Sequence, residues 1–111
     1  MKEVTIEKLY EDYIHTLQMC GSYLLSQDDE IIGYNIFEEF DIGVITFFHE
    51  SVLKKLFEAG FISDDKMKKS LELREMALNL QDKGEWDIEI FKKSIDWRKL
   101  LKLVDEIKSI N

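Results

Sequence analysis

The sequence predicts an all-α fold, a single-domain bundle of about five to six helices over residues 1–111. Three observations carry this expectation. Apolar residues recur at three- and four-residue steps along most of the chain. No stretch alternates apolar and polar residues convincingly enough for a paired strand. The gaps between apolar stripes are only a few residues long, which suits helical neighbours in one bundle. A chain of 111 residues, 45% of them apolar, fits one globular domain and is too apolar for a disordered tail.

The first stripe holds Ile6, Leu9, Tyr10, Tyr13, Ile14, Leu17, Cys20, Tyr23 and Leu24, entered at Thr5 as N-cap and ended by Ser26-Gln27-Asp28-Asp29. A second helix is expected over Glu30 to Asp41, with Ile31, Ile32, Ile36, Phe37 and Phe40, broken before Gly43. The run Ile42 to Phe48 is apolar in both phases, so a strand is the alternative reading there. A third helix carries Ile45, Phe48, Val52, Leu53, Leu56 and Phe57 on one stripe and ends at Gly60, the expected left-handed C′ residue. Ser63 caps a fourth, with Asp64 and Asp65 in its positive first turn, which runs through Leu80 and stops at Gly84. A short piece begins at Asp87. Ser94 then caps the last helix, whose stripe is Trp97, Leu100, Leu101, Val104 and Ile107.

Composition excludes several function classes. The formal charge is −8, which argues against binding nucleic acid by phosphate neutralisation and against docking on an anionic membrane. The segment Met1 to Glu7 lacks the apolar run of a secretory signal, and no window reaches the roughly 20 apolar residues that span a bilayer. A single cysteine, Cys20, excludes an intramolecular disulfide framework and agrees with a cytoplasmic location.

Catalytic constellations fail on their spacing. His49-Glu50 begins like a zincin motif, but the second histidine would fall on Leu53. Asp12-x-x-His15 is a ligand pair without the second copy that a carboxylate-bridged di-iron site needs. Cys20 lies on the apolar stripe, where a free cysteine behaves as a small buried hydrophobe rather than as a nucleophile served by His15 or His49. The five glycines form no phosphate loop. Glu38 and Glu39 are adjacent on a helix and diverge by about 100°, so they do not form an acid–base pair. No enzyme, metal or cofactor is expected.

The charge is uneven along the chain. Residues 1–50 hold eleven acids against Lys2 and Lys8, a net −9, whereas residues 51–111 carry +1. From position 9 to 53 there is no lysine or arginine. A one-sign surface repels itself, while its benefit is external, in steering a cationic partner. The bulky residues Tyr34, Phe37, Phe40, Phe47 and Phe48 are interleaved with these acids. Helical spacing assigns Phe37, Phe40 and Phe48 to the core, and Tyr34 is the best candidate for exposure, since tyrosine joins a large contact area to a polar tip. The expected partner-binding residues are therefore Asp28, Asp29, Glu30, Tyr34, Glu38, Glu39, Asp41 and Glu50. A nuclease holds phosphate with Lys and Arg, so clustered carboxylates can occupy its cleft in place of phosphate. Such association can be steered to about 10⁸–10⁹ M⁻¹s⁻¹ at low salt.

In style the whole chain resembles the small acidic immunity proteins of bacterial polymorphic-toxin systems, particularly those of contact-dependent growth inhibition. It is a short acidic helical domain with an aromatic-rich centre. Its second half, Gly60-Phe61-Ile62-Ser63 to Gly84-Glu85-Trp86 and Ser94-Ile95-Asp96-Trp97, looks like their helical half. The resemblance implies a cytoplasmic protein that binds one cognate toxin domain, often an RNase or DNase, in a stoichiometric complex. The alternative is a helical adaptor or regulatory subunit, homodimeric through an apolar face outside the core, with Trp86 and Trp97 as the residues to mark it.

Overall fold

The computed structural model describes residues 4–110. Lys2 and Glu3 of the charge count, and the first three residues of the segment read for a targeting signal, lie outside them. Among the described residues every regular element is helical. They are α1 (Ile6–Gln18), a 3₁₀ turn (Ser22–Ser26), α2 (Asp29–Ile32), a π-helical segment (Gly33–Phe40), α3 (Asp41–Thr46), α4 (Glu50–Glu58), α5 (Asp64–Asp82), α6 (Ile88–Lys93) and α7 (Ile95–Ser109). Because α2, the π segment and α3 are continuous, they form one central helix over residues 29–46, and the bundle then has six helices, as expected.

The helix starts follow the capping chemistry. Thr5, Asp28, Ser63, Asp87 and Ser94 each accept a main-chain N–H of the turn that follows, at 3.0–3.2 Å. His49 does the same for α4 through Nδ1, which accepts from the Ser51 amide at 3.2 Å. Two helix ends are Schellman motifs. At Gly60 (φ +82°) the Phe61 amide returns to the Leu56 carbonyl and the Gly60 amide to Phe57. At Gly84 (φ +74°) the Glu85 amide returns to Leu80 and the Gly84 amide to Gln81.

The first stripe is shorter than its spacing predicts, since α1 ends at Gln18 and Cys20 to Leu24 belong to the turn after it. Side chains of α7 draw the chain aside there: Lys108 Nζ donates to the Cys20 carbonyl, and the Ser22 amide donates to Asp105 Oδ1 at 3.2 Å. Gly21, at φ +150°, passes so near them that a Cβ would stand 2.8 Å from Lys108 Nζ. Tyr23 is consequently exposed rather than on a core stripe.

Gly43 does not break the second helix either. It sits inside α3, where an added Cβ would overlap the Thr16 side chain, so it lets α3 press closely onto α1. The Ile42–Phe48 run is accordingly helix and turn, not strand. The break comes after Thr46, and the stripe expected to begin at Ile45 is divided: Leu53 and Leu56 of α4 are buried, while Ile45 and Phe57 face solvent.

One apolar core joins all the helices. Its central line is Ile32, Ile36, Phe40, Val44 and Phe48, all buried and all four residues apart. Two aromatic groups grip this line. Phe37 and Phe40 meet Trp86, which lies 4.7 Å from Trp97, itself 5.1 Å from Phe91. Phe48 stacks on Tyr13 at 4.8 Å, beside Tyr10 and Phe61. Trp97 donates its Nε1–H to the Glu85 carbonyl at 2.9 Å. Beneath the second group the Tyr13 hydroxyl shares a buried 2.7 Å hydrogen bond with Ser70 Oγ. No helix of the described residues is long and apolar enough to cross a membrane.

Candidate functional site

The spacing of the inner row decides what the central helix shows to solvent. In an α-helix each four-residue step drifts by about 40°, so Val44 would stand about 120° round from Ile32. Widening the turn to i→i+5 hydrogen bonds over Gly33–Phe40 removes much of that drift and keeps the four-spaced apolar residues on the core. With about four residues per turn, positions two along lie about 180° away. Those positions are Glu30, Tyr34, Glu38, Ile42 and Thr46, and all five are exposed.

This outer row alternates acid and apolar contact area. Tyr34 is 50% and Ile42 64% exposed. Ile45, one helical turn from Ile42 and 46% exposed, widens the apolar end, and Ile31 flanks Glu30 and Tyr34. Tyr34 is held in place: its hydroxyl donates to Glu39 Oε1 at 2.8 Å, and the neighbouring carboxylate raises the phenol pKa. On its other oxygen Glu39 lies 3.4 Å from His15 Nε2, which ties the π segment to α1.

The eight residues expected to bind a partner therefore divide. Glu30, Tyr34 and Glu38 share the outer row, and neither of these two glutamates has an ion pair among the described residues. The remaining five have structural engagements or another setting. Asp28 caps α2. Asp29 is bound by Lys92 of α6 at 2.6 Å. Glu39 orients Tyr34. Asp41 is half-buried and accepts from Gln81 Nε2 at 2.7 Å, and burial pushes its carboxyl pKa up. Glu50 lies in the first turn of α4, beside a groove lined by Lys54, Phe57, Glu58, Met67 and Leu71.

Lys92 shows that the basic-free stretch from 9 to 53 is a gap along the chain and not everywhere in space. The expected break at Gly43 puts Ile45 on the next stripe and leaves Ile42 at the head of a run without a stripe. The signal that could have found Ile42 is its phase, midway between the buried Phe40 and Val44.

Cys20 is fully buried, and burial pushes its thiol up, against the opposing pull of the Lys108 ammonium. Among the described residues no three His, Cys, Asp or Glu side chains converge as metal ligands. Comparison with protein-family models, with curated proteins and with solved structures gives no match.

Proposed function

We propose that this chain is a non-enzymatic inhibitor that binds a basic partner domain through the outer face of its central helix. The partner that fits is a cognate nuclease toxin, as the resemblance to contact-dependent inhibition immunity proteins implies, with its cationic cleft covered by the acidic row. The observation that carries this is the placement of Glu30 and Glu38, neither ion-paired among the described residues, on either side of the exposed Tyr34. Exposed acids without internal partners steer a cation without first breaking an existing pair.

The adaptor alternative loses its markers, because Trp97 is buried and Trp86 packs against it.

The test takes the product of the gene neighbouring this chain's own, which the reading expects to end in a basic nuclease domain. An equimolar amount of the chain abolishes its nuclease activity, and Glu30→Lys with Glu38→Lys weakens that inhibition. Nuclease activity that persists under saturating wild-type chain overturns the reading.

A further inference from the structure

The apolar end of the outer face has no counterpart in a purely electrostatic inhibitor. Ile42 and Ile45 are among the most exposed large apolar side chains of the described residues, yet the backbone between them is packed against the core. Gly43 and Val44 are both buried, Gly43 against Thr16 of α1, and Gln81 of α5 holds Asp41 just before them. A pair of branched side chains has few rotamers to lose, and on a support packed this closely to the core it loses little freedom when covered, which favours a docking contact.

Resting on the reading proposed above, we infer that the face recognises its partner in two parts. Glu30 and Glu38 take lysine or arginine, and the Ile42–Ile45 patch takes an aliphatic side chain of the same partner element. The occupant is fixed by charge complementarity. The patch lies in line with two acids that have no ion pair among the described residues, and the central helix itself has no lysine or arginine, so a basic protein segment meets it and an acidic or neutral one gains less. The row from Glu30 to Ile42 is on the order of 18 Å long, so the partner presents its cations and its apolar residue over about that distance. The acids set how fast the partner arrives, and the patch sets how long it stays.

Two synthetic 18-residue peptides test this, a helical lysine/alanine sequence and its twin with two alanines near one end replaced by leucine. Each is titrated into the isotope-labelled chain and followed by amide and methyl NMR shifts. Both peptides are expected to move the amides of Glu30, Tyr34 and Glu38. The leucine twin alone is expected to move Ile42 and Ile45 and to bind about tenfold tighter. Ile42→Ser with Ile45→Ser erases that gain and leaves the lysine/alanine peptide unaffected, with unchanged helicity as the control for folding. Equal binding of the two peptides, with Ile42 and Ile45 unmoved, overturns the two-part recognition while leaving the acidic face in place. If neither peptide moves the acidic row, the inhibitor reading falls and this inference with it.

Discussion

Single residues locate where the fold is least tolerant. Gly43 is the clearest case, because no side chain fits between α3 and Thr16. Gly43→Ala is expected to lower stability by about 1–3 kcal/mol through overpacking. The same substitution in a Thr16→Gly background, where the overlapping atoms are gone, is expected to lose most of that effect in a double-mutant cycle. Tyr13 is the second case. Burial raises its phenol from the usual 10.0 to about 12. Between those values the unfolded chain releases a proton that the native protein keeps, so stability falls as pH rises from 10 to 12, by roughly 2–3 kcal/mol in all. Denaturant midpoints of Tyr13→Phe are expected to show a flatter pH dependence in that window. At neutral pH the variant is destabilised by about 1–3 kcal/mol, since the buried Ser70 hydroxyl loses its partner.

At the scale of elements, the caps at Thr5, Ser63 and Ser94, the start at Asp87 and the glycine stops at 60 and 84 are legible in the sequence, because capping is local chemistry within one turn. The boundaries around Gly21 and Gly43 are not. Each is settled by side chains from a distant helix, Lys108 and Asp105 at the first and Thr16 at the second, and no local window contains those residues. The π segment has an intermediate status. Its four-residue apolar spacing is written in the sequence, but the α-helical template of three- and four-residue steps absorbs it without complaint. Gly33, at the start of that segment, has helical backbone angles (φ −59°, ψ −48°) and open space where a Cβ would stand. Gly33→Ala is therefore expected to raise stability by about 0.4–1 kcal/mol, read as a higher denaturant midpoint with unchanged slope.

For the whole molecule, charge summed along the chain points to the central helix but selects residues in unlike settings. Five of the eight expected contacts are engaged within the fold or stand on another element, and the exposed isoleucines went unseen because burial depends on helix phase and not on composition. What remains is one face, acidic at one end and apolar at the other, on a helix whose other side is the centre of the core. The most direct measurement of that claim is the association rate with the basic partner domain as a function of ionic strength. It compares the wild type, a Glu30→Lys/Glu38→Lys variant, and a Glu72→Lys/Glu75→Lys variant with the same net charge change on exposed positions of α5. The outer-row variant is expected to associate at least about tenfold more slowly at low salt, with the difference shrinking as salt rises, while the α5 variant stays near the wild type. Equal slowing by both variants would mean that only net charge matters, and would contradict the assignment of the interface to this face.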